Sequence, residues 1–234
     1  MKTTLLIPTL NEIDGMKAIM PQIKGEWYDQ LLIVDGGSTD GTLRYCEEKG
    51  YPFIVQKKKG LTNAYIEALS YINGDIIITF SPDGNSLAEL IPPLIEKMKQ
   101  GYDMVIVSRY AKGAKDYDDD FFTGFGNWMF TTLINILFGG KYTDALVMFR
   151  AYKKNLIHDL ELDKDSPPPF EERLFKVKVG LEPLICIRSA KKKLKVADIP
   201  GDEPKRLGGE RKLKIFRYGA VHLIQIIREI FYWR

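Results

Sequence analysis

Apolar residues in the first half of the chain fall into short continuous runs separated by segments of helical period. Thr3-Thr4-Leu5-Leu6-Ile7-Pro8, Gln30-Leu31-Leu32-Ile33-Val34, Phe53-Ile54-Val55, Asp75-Ile76-Ile77-Ile78-Thr79-Phe80 and Met104-Val105-Ile106-Val107 have the pattern of strands buried on both faces. Between them, 43–49, 64–72 and 87–98 repeat apolar positions every three or four residues, which predicts helices. Strands and helices alternating in this way predict an α/β fold with a mostly parallel sheet covered on both sides.

Each predicted strand hands over to a polar cluster. These clusters are Thr9-Leu10-Asn11-Glu12, Asp35-Gly36-Gly37-Ser38-Thr39-Asp40-Gly41-Thr42, Lys57-Lys58-Lys59-Gly60-Leu61, Ser81-Pro82-Asp83-Gly84-Asn85 and Ser108-Arg109-Tyr110. In open α/β sheets ligands bind at the carboxyl ends of the strands, so five clusters at that edge predict one site. Asp83 and Asn85 offer a carboxylate and an amide oxygen two residues apart, hard donors that suit Mg²⁺ or Mn²⁺ once diphosphate oxygens join them. The same residues are ordinary turn formers, and alone they do not separate a metal seat from a surface turn. Asp116, Asp118, Asp119 and Asp120 form a second acidic run, read as a solvated loop.

Composition narrows the class. At 234 residues and 45% hydrophobic content, one domain with a substantial core is expected. Cys46 and Cys186 lack metal or redox spacing, which favours a reducing compartment, and only two histidines, His158 and His222, argue against zinc or imidazole chemistry. No signal-like N-terminus and no uninterrupted apolar run of membrane-spanning length stand out. These features point to the cytoplasm, with peripheral attachment to the cytoplasmic membrane face left open. The net charge of +3 is uneven: residues 1–150 carry −4 and 151–234 carry +7, the latter concentrated in 191–195 and 206–217. Such a patch suits a diphosphate, a lipid phosphate or an anionic leaflet, although a solvated face explains part of it. Nucleic acid is disfavoured, since no aromatic–basic platform or reading helix accompanies the charge. At the tail, Leu213, Phe216, Ala220, Leu223, Ile227 and Ile230, widened by Ile215, Ile224, Ile226 and Phe231, predict an amphipathic helix ending in Phe231-Tyr232-Trp233-Arg234. That helix would lie on a membrane surface, or dock on the rest of the chain or on the second subunit of a homodimer.

The ordered set Pro8-Thr9-Leu10-Asn11-Glu12, Val34 to Thr42, Ser81-Pro82-Asp83 and Ser108-Arg109-Tyr110 resembles the family 2 glycosyltransferases of the GT-A fold. Among these it is similar to the dolichol- and polyprenol-phosphate sugar synthases. The resemblance continues through Asp144-Ala145-Leu146-Val147-Met148-Phe149-Arg150-Ala151-Tyr152, Asp198-Ile199-Pro200 and Arg206-Leu207-Gly208-Gly209-Glu210-Arg211-Lys212-Leu213. It implies a Rossmann-like mixed sheet over 1–212, with a nucleotide-sugar-binding half (1–110), an acceptor-side half (111–212) and a C-terminal amphipathic helix (213–234). The segment 163–169, with Ser166-Pro167-Pro168-Pro169, is read as a loop over the acceptor side.

The activity so implied is inverting transfer of a sugar from a nucleotide-sugar donor to polyprenyl phosphate or another lipid-linked acceptor. Transfer to a sugar hydroxyl in surface glycan assembly and a non-catalytic nucleotide-sugar-binding module stand as alternatives. By the resemblance, Pro8, Leu10, Glu12 and Asp35 line the nucleoside pocket and Gly60 and Leu61 close one side. Ser81 and Asp83 meet the donor, and Asp83 and Asn85 hold the metal. Arg109, Arg206 and Lys212 offset charge on the diphosphate. Asp144 lies near the acceptor, as base or orienter; Asp35 and Asp40 have an alternative as turn and helix-capping residues. This chain departs from the family at Ser81, where the first Asp of Asp-x-Asp is usual, and also at Gly36, Leu10 and Met148. The Ser81 change removes one formal charge, which implies weak metal binding until a diphosphate supplies the missing oxygens.

Overall fold

A computed structural model describes residues 1–164, 170–177, 180–207 and 215–232. Its strands are β1 Thr3–Thr9, β2 Gln30–Asp35, β3 Phe53–Val55, β4 Ile76–Thr79, β5 Met104–Ser108, β6 Arg150–Lys153 and β7 Val196–Pro200. Its helices are α1 Ile13–Ile19, α2 Thr42–Lys49, α3 Leu61–Ala68, α4 Ile91–Lys99, α5 Phe121–Phe138, α6 Leu156–Asp159, α7 Phe170–Phe175, α8 Glu182–Lys191 and α9 Ile215–Tyr232. The five apolar runs are five strands of one sheet ordered β3-β2-β1-β4-β6-β5-β7. β6 runs antiparallel to both its neighbours, with Ile77 opposite Tyr152 and Val105 opposite Ala151, and the other pairings are parallel. The expected mixed, mostly parallel sheet is the one observed.

Alternation along each strand builds two cores. Leu5, Ile7, Ile33, Ile78 and Val105 pack with Met16 of α1, Cys46 of α2 and Leu94 of α4. Leu6, Leu32, Ile77, Met104 and Ile106 pack with Ala64 of α3, Ile134 of α5 and Ile185 of α8. Successive side chains of a strand point to opposite faces, so a continuous apolar run is what a doubly covered sheet requires.

α9 lies outside this layer, against α5, α7 and α8. Its docked face is not the apolar stripe. Val221, Gln225, Ile226 and Glu229 are buried, while Phe216, Leu223, Ile227 and Ile230 face outward. The cause is Arg188 of α8, itself buried, whose Nη1 donates to the carbonyls of Leu160 and Glu161 at 2.8 and 3.0 Å. Its Nε and Nη2 reach the two oxygens of Glu229 at 3.1 and 3.0 Å. A buried guanidinium needs a carboxylate, and that need turns the polar face of α9 inward. α9 therefore docks on the rest of the chain, and its outward face remains apolar.

α5 differs from expectation in another way. It is one helix long and apolar enough to cross a membrane by length and composition, although Thr123, Gly124, Gly126 and Asn127 interrupt its apolar run. It lies along α8 and α9, with Phe121, Phe122, Phe125 and Trp128 exposed.

His222 on α9 stacks edge-on against Phe130 of α5 at 5.7 Å. Burial lowers its imidazole to about 4, and its Nδ1 has no partner among the described residues. The folded state thus prefers neutral histidine. That contribution is complete above the unfolded pKa of ~6.5 and is lost as pH falls toward 4, amounting to roughly 3 kcal/mol. Melting temperatures should fall between pH 7 and pH 4.5, and His222→Leu should flatten that part of the profile. A slope unchanged in the variant would contradict the assignment.

Candidate active site

The loops after β1 and β2 hold each other. Asp35, fully buried, accepts from the amides of Gly37 and Ser38 at 2.8 and 2.7 Å and from the hydroxyls of Ser38 and Thr9 at 2.6 and 3.0 Å. Asp40 accepts from the amides of Ile13 and Thr42, at the starts of α1 and α2. Asn11, at φ 54, accepts from the Thr39 amide at 2.8 Å. A left-handed asparagine is tolerated where its side chain bonds locally, and here it turns Glu12 toward the sheet edge.

The turn after β4 presses onto α1. A Cβ at Gly15 would lie 2.3 Å from the Pro82 carbonyl oxygen, so only glycine allows this approach. Gly84, at φ +94, lies beneath the side chain of Leu207 in space that a Cβ would fill. Asp83 Oδ1 accepts from the Asn85 amide at 3.3 Å, and its Oδ2 lies 2.9 Å from Arg206 Nη2. Asn85 Nδ2 donates to Glu203 Oε1 at 2.9 Å, which leaves its Oδ1 for another partner. Among the described residues no three acidic, histidine or cysteine side chains gather as metal ligands. The turn thus offers one carboxylate and one amide oxygen, a donor set that fits Mg²⁺ or Mn²⁺ when a diphosphate completes it.

The other side is organised by Arg109, which follows β5. Its Nε and Nη2 meet Asp144 Oδ2 and Oδ1 at 2.7 and 3.3 Å. Its Nη1 lies 2.8 Å from Glu203, 3.6 Å from Asp116 and 3.7 Å from Asp119. Burial pulls the guanidinium down, but Asp144 and Glu203 overcome it and hold it charged. Asp144 is fully buried and accepts from Asn127 Nδ2 at 2.8 Å; Asn127 Oδ1 in turn accepts from Thr131. Arg150 braces the loop between, donating to the carbonyls of Ala145 and Val147. Burial pushes the Glu203 carboxyl up to about 8 despite Arg109, and Asp116, Asp144 and Asp119 add to the rise.

These elements line one cleft of about 930 Å³. Its walls include Pro8, Leu10, Glu12, Gly60, Leu61, Ser81, Asp83, Asn85, Arg109 and Arg206. A model of glycosyl transferase family 2 matches residues 4–161. The chain belongs to glycosyl transferase family 2. This transferase is 25% identical over 229 residues to glycosyltransferase AglJ of Haloferax volcanii, spanning 96% of this chain and 70% of that protein. It is 28% identical over 241 residues to the dolichol-phosphate mannosyltransferase of Pyrococcus furiosus, spanning 93% of this chain and 62% of that protein. In fold it is similar to glucosyl-3-phosphoglycerate synthase of Mycobacterium tuberculosis, crystallised with Mn²⁺, uridine diphosphate and glucosyl-3-phosphoglycerate. The TM-score is 0.70 at 19% identity, over 98% of this chain and 79% of that one.

Of the residues singled out in the transferase sequence, two lie behind the cleft wall. Asp35 is engaged within its own loop, and Asp144 meets the cleft only through Arg109. Lys212 falls outside the described residues, as do Arg211, Leu213, Trp233, Arg234 and the 165–169 part of the proline loop. The acidic run 116–120 is a correction. Asp116 and Asp119 are largely buried against Arg109, and Asp120 caps α5 through a reciprocal bond with Thr123, so the loop is held by charge and capping rather than solvated. Glu203 and Asn127 lie outside the sequence motifs, and Arg150 lies within the Asp144 to Tyr152 motif without a role assigned to it. Of the two outside, Asn127 carries a signal, the four-residue helical spacing to Thr131; Glu203 sits in an aperiodic loop whose contacts are distant in sequence.

Proposed function

We propose that this transferase moves a sugar, with inversion, from a nucleoside-diphosphate donor to polyprenyl phosphate at the cytoplasmic face of a membrane. The observation that carries the reading is the cleft that joins the Asp83–Asn85 turn to Arg109 and continues past Val147, Val177 and Tyr218. Polar loops suit the nucleotide, and the apolar end suits the head of an isoprenoid. The names of the archaeal relatives support it, as does the Mn²⁺ and uridine diphosphate of the structural neighbour. A divalent ion at Asp83 and Asn85 would offset the charge that grows on the leaving diphosphate. Pro8, Leu10, Glu12, Gly60 and Leu61 would enclose the nucleoside. Asp144 holds Arg109 in one orientation, and an acceptor phosphate, ionised at neutral pH, needs no base.

The exposed faces of α5 and α9 support attachment to the bilayer. Phe121 is 79% and Phe216 87% exposed, and Trp128, Ile136, Ile227 and Phe231 extend the surface. Aromatic and aliphatic side chains on surface helices suit the headgroup boundary. With anionic vesicles containing polyprenyl phosphate, the protein should co-sediment at low salt and pass label from a nucleotide sugar into the lipid, dependent on Mg²⁺ or Mn²⁺. Transfer equal with chelator present would remove the metal from the account.

One observation favours a hydroxyl acceptor instead. Glu203 faces the cleft with a raised carboxyl pKa, a suitable group to take a hydroxyl proton. On that reading Glu203→Gln loses ~10²–10⁴-fold in rate, the usual worth of general base catalysis. On the phosphate reading most of the rate survives.

A further inference from the structure

Arg206 pairs with one oxygen of the carboxylate that a divalent ion would use. Its Nη2 lies 2.9 Å from Asp83 Oδ2 and its Nη1 4.0 Å from Glu12 Oε1, so one guanidinium spans the turn after β4 and the loop after β1. The loop that carries it is fastened on three sides. The Leu207 amide donates to the Asp83 carbonyl at 2.9 Å, the Arg206 amide donates to Asp118 Oδ1 at 3.3 Å, and the Leu207 side chain covers Gly84. Arg206 is 23% exposed and Asp83 6%, so the pair is partly desolvated and stronger than one in open water. Arg206 Nε is buried without an acceptor among the described residues, although the side chain lines the cleft. A buried donor without a partner is costly, so the guanidinium gains a hydrogen bond when an anion enters.

We propose that Arg206 is a built-in stand-in for the metal. It occupies Asp83 while the cleft lacks donor and transfers to the diphosphate when the donor arrives, so that the ion binds tightly only together with the nucleotide. This rests on the metal-dependent reading of Asp83 above. With the guanidinium on Asp83 Oδ2 and the Asn85 amide on Oδ1, a divalent ion at this carboxylate competes with Arg206, and the two cations repel each other. Diphosphate oxygens give the fork-shaped guanidinium a bidentate partner and free Asp83 for the ion. Arg206 is a positioning residue on this account, and its removal has opposite effects on the two ligands. A residue that merely contacted the donor would leave metal binding to the empty protein unchanged.

The test is Mn²⁺ binding to the full chain, followed by the electron spin resonance of free Mn²⁺, without nucleotide and with uridine or guanosine diphosphate. Arg206→Gln should raise the affinity of the empty protein about tenfold, the equivalent of ~1.4 kcal/mol, as expected for losing one competing ion pair. The same variant should shrink the gain that the diphosphate gives. Arg206→Lys keeps a cation beside Asp83 and should stay near the parent protein. Adding Asp83→Ala to Arg206→Gln should abolish the gained affinity. An Arg206→Gln variant that binds Mn²⁺ no more tightly than the parent overturns the proposal, as does a gain that survives Asp83→Ala. Failure of the underlying reading looks different: neither diphosphate would then change Mn²⁺ affinity in the parent protein, and both ideas would fall together.

Discussion

Replacing Asp83 with alanine is expected to abolish metal-dependent binding of the nucleoside diphosphate and to slow transfer by ~10²–10³-fold, the scale of losing one preorganised charge-stabilising group. Asp83 supplies the only carboxylate of the turn; Asn85 contributes an amide oxygen and Ser81 a neutral hydroxyl. The substitution leaves the fold standing, because the turn is held by its backbone: Pro82 against Gly15, and the Asp83 carbonyl bonded to Leu207. Calorimetric titration of the diphosphate with and without Mn²⁺, beside a melting curve, checks both halves. Metal-dependent affinity equal to that of the parent protein would end the assignment of Asp83.

The second large effect concerns stability. Glu229→Ala removes the carboxylate that pairs with Arg188 and leaves the guanidinium charged and buried beneath α9. Breaking a buried pair from one side costs ~3–5 kcal/mol. In a chain of this size that lowers the melting temperature by roughly 10 °C. Replacing both partners with apolar residues of similar volume, Arg188→Met with Glu229→Leu, should recover most of the loss, since no stranded charge remains. A single variant that melts with the parent would show that the pair is not closed in solution. Deleting residues 218–234 removes Glu229 together with Val221 and Ile226, so the truncated protein should unfold or aggregate rather than persist as a detached catalytic domain.

How far the sequence revealed this arrangement depends on the range of the interactions. The strands β1, β2, β4 and β5 were legible because each is a continuous apolar run, which a sheet covered on both faces demands. Asp83, Asn85 and Arg109 were legible as polar residues at strand ends, where the sheet edge gathers them. β6 is short and carries Arg150 and Lys153, so no continuous apolar run marks it as a strand. The orientation of α9 was hidden because its apolar stripe and its docked face differ. Arg188, 41 residues away from Glu229, decides which side turns inward. Glu203 was hidden for a similar reason: Asn85 and Arg109, which give it its place, are each far away in the chain.

The central claim, inverting transfer onto a lipid phosphate, is tested most directly by the linkage in the product. Parent protein, Mg²⁺ or Mn²⁺, an α-linked nucleotide sugar and polyprenyl phosphate in detergent would be followed by phosphorus and proton nuclear magnetic resonance. The account predicts a new phosphodiester signal coupled to a β-anomeric proton, growing as the nucleoside diphosphate is released. An α-anomeric product, or sugar attached to a hydroxyl while the lipid phosphate remains a monoester, would contradict it.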